Sequence, residues 1–209
     1  MSEVPTLTID EFWDLIHRSK NETEGKLERA KWLRSMLATR PVGEIADFHW
    51  WLSVAKQRVN TWDMYSAFSG IFLVGSADSF DYFLSWLIGL GREVFEEVAM
   101  RPDSLIHLPA IERLLQLQLD WVRSGGELPV WTREDEPYFY QLGGMARKLY
   151  LALTDDDFDG LEAKLDAYGV TYSIADPEGE RWEPSDPDEM AVRLPGIYRY
   201  MKHYQQLLE

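Results

Sequence analysis

Asp78, Asp81, Arg92, Glu93 and Asp103 lie near one another in the chain, with the aromatics Tyr82 and Trp86 between them. A guanidinium can hold a carboxylate or a phosphate through two parallel hydrogen bonds. Arg92 could instead pair with Asp81 or a neighbouring carboxylate inside a helical bundle, where such a pair fixes geometry more than it adds stability. Asp78, Asp81, Tyr82, Trp86, Arg92 and Asp103 are therefore the preferred ligand-binding or partner-binding candidates. Beside them stands Gly89-Leu90-Gly91. A phosphate-cradling glycine loop follows a strand and opens a helix. Here a helical pattern precedes the glycines and no third glycine follows, so close helix packing or a helix break is the competing reading.

A second constellation is Asp155-Asp156-Asp157-Phe158-Asp159-Gly160. Asp155, Asp157, Asp159 and Gly160 match positions 1, 3, 5 and 6 of a calcium loop, and Asp166 falls at position 12. Position 12 favours the longer Glu, and the usually apolar position 8 is Glu162. The alternative is that Thr154 caps a helix whose first turn is acidic, as the helix dipole favours. His17, His49, His107 and His203 are scattered without zinc-site spacing, and the chain has no cysteine. No Gly-x-Ser-x-Gly elbow is present, no catalytic residue is assigned and no cofactor is expected.

Helical periodicity dominates the elements that must position these residues. Thr8-Ile9-Asp10-Glu11 reads as a capping box ahead of Phe12, Leu15 and Ile16. Further helices are expected over Glu24 to Ala38, from Pro41 to Val59, over Trp62 to Val74 with Gly75 as cap, and over Asp78 to Met100. Others follow from Pro109 to Val122, Tyr138 to Leu153, Asp155 to Tyr168 and Ile197 to Leu208. Val170 to Ile174 is β-prone and Asp176 to Gly179 is a turn signal, so one short β-hairpin is expected near residues 170 to 183. The expected architecture is all-α within a single domain, residues 1–209. A multi-helix bundle forms the core over 5–168. An acidic, partly irregular segment with a closing helix follows over 169–209.

Aromatic residues make up 13% of the 209 residues, too many for a disordered chain. The formal charge is −15. Residues 154–193 hold thirteen acidic and three basic residues, a net of −10, which leaves −5 for the rest. Such a field repels nucleic acid and anionic membranes and suits a basic protein partner or a cation. No signal peptide and no membrane span are expected.

The stretch Phe80 to Leu105, FDYFLSWLIGLGREVFEEVAMRPDSL, resembles the central signature of a bacterial family, domain-of-unknown-function family 4240. Glu11 to Ile16 resembles the family's start. Asp63, the apolar helix after it and Asp78 match in kind, and Trp182 and Leu194-Pro195 resemble a weaker C-terminal pattern. Where the family pattern has a polar residue, often Gln, this chain has Leu90. The family occurs alone or beside WGR domains, so the resemblance implies a bacterial cytoplasmic protein and supplies no mechanism. Two functional classes are expected from the sequence. One is a non-catalytic interaction or regulatory protein, immunity- or antitoxin-like in one version, that meets a basic partner through acidic residues 154–193. The other is a small-molecule or enzymatic site around Asp81, Trp86 and Arg92. The oligomeric state is not legible.

Overall fold

The computed structural model describes residues 5–73, 75–126, 131–169 and 177–208. Among them the chain is all-α, with no strand. Helix α1 (Ile9–Glu22) opens on the expected capping box. Glu11 N donates to Thr8 Oγ1 at 3.3 Å, and Thr8 N donates to Glu11 Oε2 at 2.8 Å. Helices α2 (Gly25–Ala38) and α3 (Val42–Val59) follow, and then α4 (Trp62–Phe72). The last ends on Leu73 in the left-handed conformation, not on the expected Gly75.

The helical stretch expected from Asp78 to Met100 breaks at the glycines into α5 (Ala77–Gly89) and α6 (Arg92–Met100), in line with the helix-break reading of Gly89-Leu90-Gly91. Both glycines have a stated physical role. Gly91 precedes α6 at φ 107° and ψ 165°, a region essentially reserved for glycine. A Cβ on Gly89 would lie 3.0 Å from the Phe139 ring, and its carbonyl accepts a 2.7 Å bond from Arg29. The position that departs from the family pattern, Leu90, contributes its backbone: its carbonyl accepts from Lys20 Nζ at 3.1 Å.

A 3-10 turn (Pro102–His107) leads into α7 (Pro109–Arg123), and α8 (Tyr140–Leu153) and α9 (Phe158–Ala167) follow. Short α10 (Pro187–Arg193), which the periodicity did not reveal, precedes α11 (Pro195–Leu208). Helix α8 packs on α3, α2 and α5, while α11 packs on α4, α10 and the 3-10 turn. The core between them is rich in aromatics: Phe12, Phe48, Phe68, Phe80, Phe83, Phe95 and Phe139 are fully buried.

Three carboxylates tie distant segments to this core. Asp47, wholly buried on α3, accepts from Thr6 N, Leu7 N and Tyr168 Oη and meets Lys164 Nζ at 3.1 Å. Asp103 accepts from Gly196 N and Ile197 N at 2.9–3.0 Å and so caps the start of α11. Asp63 accepts from Trp182 Nε1 at 2.8 Å.

The β-prone residues Val170 to Ile174, and Asp176 of the turn signal, lie outside the described residues. Among the described residues, 177–183 form no strand of the expected hairpin; instead Glu178 makes an isolated parallel bridge to Thr61. Among the described residues no single helix is long and apolar enough to cross a membrane.

The backbone at Gly91 generates a direct expectation. Gly91→Ala places a Cβ at a forbidden φ and should destabilise the chain by about 1–3 kcal/mol. Urea unfolding is the measurement, and an unchanged midpoint would contradict the account.

Candidate functional site

The residues expected to share a site are directed to different partners. Asp81 on α5 forms a 2.6 Å ion pair with Lys56 of α3, not with Arg92. Arg92 is half exposed and pairs with Asp10 at 2.6 Å across the start of α1. Trp86 is buried and stacks on Phe83 at 5.8 Å. Asp103 is the cap of α11 described above. Asp78 is exposed in the first turn of α5. Tyr82 is half-buried, its ring 4.4 Å from that of Tyr140. Tyr140 lines a cleft of about 440 Å³ together with Lys26, Arg133, Glu134, Glu136 and Tyr138.

The calcium-type carboxylates do not converge. Asp157 caps α9 by accepting from Gly160 N at 2.9 Å. It takes the place expected of Thr154, which closes α8 instead. Asp155 and Asp156 turn the chain with positive φ, Asp159 sits in the first turn of α9, and Asp166 lies near its end. Among the described residues no group of three or more His, Cys, Asp or Glu is placed to hold a metal ion.

The structure gathers a polar centre that the sequence did not announce. Lys56 Nζ, with its side chain 5% exposed, and Asp81 lie where α3, α5 and α8 meet. Buried Ser85 donates to the Asp81 carbonyl at 3.1 Å. A Cβ on Gly143 of α8 would lie 3.1 Å from Ser85 Oγ and 3.3 Å from Lys56 Nζ, so the glycine lets α8 close over the cluster. Burial pushes the Lys56 amine down, opposed by the Asp81 charge and hydrogen bond. Two turns earlier on α3, burial and then the charges of Arg147 and Lys56 push His49 down to about 4. Its Nδ1 is buried without a hydrogen-bond partner among the described residues. The nearest sequence signal for this cluster was the Gly143-Gly144 pair.

A second, exposed assembly forms where the acidic segment lies on α4. Trp62 N donates to Glu178 O at 3.1 Å, and Glu178 N donates to Asn60 O at 2.7 Å. Trp182 is buried against Asp63. Arg193 reaches Glu180 and Glu189 and stands 3.7 Å from Asp63. The hydrogen bonds that Arg193 donates to Glu189 and then to Glu180 raise its pKa. Clefts of about 360 and 370 Å³ flank this segment, and Trp62 lines both. The first adds Tyr65, Pro177, Arg181 and Trp182; the second adds Asp63, Met100, Glu178 and Glu180. This face joins aromatic surface to carboxylates, a combination suited to cationic side chains.

Two outcomes follow. Asp81→Ala removes the carboxylate beside a buried ammonium and should cost about 3 kcal/mol, whereas Lys56→Met with Asp81→Leu should cost clearly less. Denaturant unfolding of the single and double variants compares them; equal losses would contradict the pairing. For His49 the folded pKa of about 4 lies below the ordinary 6.5. Its contribution is therefore complete above pH 6.5 and is lost as pH falls toward 4. His49→Gln should shrink the stability difference between about pH 7 and pH 4.5, read by urea unfolding at both values; an undiminished difference would refute it.

No curated protein and no solved structure shows significant similarity to this chain. The model of one family, described as "Protein of unknown function (DUF4240)", matches residues 7–152. That span takes in α1 through nearly all of α8, including Lys56, Asp81, Ser85 and Gly143 of the polar centre and Trp62 and Asp63 of the exposed face. The match covers well over half of the chain, and the protein belongs to the DUF4240 family.

Proposed function

We propose that this protein is a non-catalytic interaction or regulatory protein of the bacterial cytoplasm that holds a basic protein partner against its acidic C-terminal part. An immunity- or antitoxin-like role is one form of that activity. One observation carries the reading: Glu178, Glu180, Glu183, Asp186 and Asp188 are exposed on a segment fixed to the bundle. The Glu178 backbone bridge, the Trp182–Asp63 bond and the capping of α11 by Asp103 fix it there. A fixed anionic surface loses little conformational entropy when a partner docks, so more of its interaction energy appears as affinity. It also steers a cationic partner toward the face before contact. Asp155, Asp156, Asp159 and Glu162 are exposed as well and extend the negative surface along α9. The same field disfavours nucleic acid and anionic membranes as partners.

The polar reading around Asp81, Trp86 and Arg92 has less support, because the three engage Lys56, Phe83 and Asp10 respectively. The acidic-face reading predicts capture of basic proteins from the native cell at about 0.1 M salt. Release is expected at about 1 M salt, where the Debye length falls from about 10 Å to about 3 Å. Reversal of Glu183, Asp186 and Asp188 to Lys should abolish the capture. Salt-insensitive capture, or capture unchanged by the reversal, would refute the reading.

A further inference from the structure

We propose that the Trp62 ring is the seat for an arginine side chain of the basic partner, and that the chain's own Arg181 occupies this seat in the partner-free state. The inference rests on the acidic-face reading and narrows it to one contact and one side-chain chemistry. The Arg181 guanidinium lies 5.0 Å from the centre of the Trp62 ring. Its side chain is 72% exposed, and its ion-pair contact with Glu183 is long, at 4.0 Å. Arg193, the other cation of this segment, is gripped by Glu180 and Glu189. Arg181 is thus the loosely held cation, and it rests on a half-buried aromatic ring.

The surroundings fit a visiting arginine better than a lysine. The ring of Trp62 meets Tyr65 edge-on at 5.8 Å and opens into both clefts, each large enough for a long side chain. A guanidinium is planar and weakly hydrated, so it stacks on an indole with less desolvation cost than an ammonium. In the second cleft Met100, 71% exposed, offers an apolar surface for a methylene stem. Glu178 and Glu180 in the same cleft supply carboxylates for the charged head. Displacing Arg181 also frees Glu183 from its long ion pair.

The experiment is calorimetric titration of the full chain with a tetra-arginine peptide and a tetra-lysine peptide at about 0.1 M salt. Tetra-arginine should bind about threefold or more tightly than tetra-lysine. Arg181→Ala should tighten tetra-arginine by about threefold, beyond any effect of Arg34→Ala, which removes the same charge from an exposed position on α2. Trp62→Leu should erase the preference for arginine; if that variant does not fold, the Arg181→Ala comparison decides. Equal binding of the two peptides, or no gain from Arg181→Ala over Arg34→Ala, overturns the Trp62 seat. If the peptides bind equally and Glu183, Asp186 and Asp188 reversal still abolishes binding, the acidic face stands and only the seat falls. If neither peptide binds the wild-type chain, the acidic-face reading falls with it.

Discussion

The ion pair between Lys56 and Asp81, 2.6 Å apart, sets the terms for the centre of the bundle. Two charges removed from water are tolerated only if geometry and hydrogen bonds compensate them. The helices α3 and α5 must therefore keep a fixed register, because a slip of one residue along either turns its side chain by about 100° and separates the pair. Helix α8 must then approach closely enough to exclude water, which Gly143 permits by leaving no Cβ against Lys56 and Ser85. The same close approach brings Phe139, just ahead of α8, onto Gly89, where a side chain would collide with its ring. A buried polar pair, two glycines and the meeting of three helices are thus one constraint.

The acidity of the chain divides into two uses. Asp47, buried, and Asp63 and Asp103, partly buried, act as tethers, binding the N-terminal segment, Trp182 and α11 to the bundle. Each accepts hydrogen bonds from groups that would otherwise be buried unsatisfied, so each is worth more than an exposed ion pair. The carboxylates of α9 and of residues 178–188 point outward, several of them in the first turn of a helix where the dipole tolerates them. The tethering set gives the outward set a fixed place on the surface. A net charge of −15 is therefore not a featureless solubilising shell.

Local signals in the sequence carry part of the local structure, while the expected caps at Gly75 and Thr154 give way to Leu73 and Asp157. The Thr8–Glu11 capping box and the apolar stripes are as their spacing implies, and Gly91 marks the change of helix. Long-range pairing was not legible. Asp81 takes Lys56, which lies a helix away, because packing of α3 on α5 brings the two together; nothing in either segment's periodicity encodes that crossing. Asp103 stands among the candidates for chemistry by its neighbours in sequence, yet its carboxylate meets amides of Gly196 and Ile197, far along the chain. The motif residues Pro102-Asp103 and Leu194-Pro195 are two halves of one cap, visible as such only in three dimensions. The start of α9 differs from its expected place for another reason: Asp155 and Asp156 adopt left-handed backbone, which carboxamides and carboxylates tolerate, and so move the cap to Asp157.

The two arginines of the acidic segment show how the same charge serves different ends. Arg193 stands over the Trp182 ring at 5.6 Å and engages Glu180 and Glu189, with Asp63 at 3.7 Å. Asp63 simultaneously accepts from Trp182. Removing Arg193 would leave carboxylates crowded around the junction that holds the segment in place, so its charge is structural. Arg181 touches the same segment but engages an exposed-side aromatic, Trp62, and a distant carboxylate. An exposed cation–π contact is worth about 0.5–1 kcal/mol, too little to hold the guanidinium against a competing cation delivered by a partner at high local concentration. One arginine thus builds the face, and the other is placed where it can be exchanged.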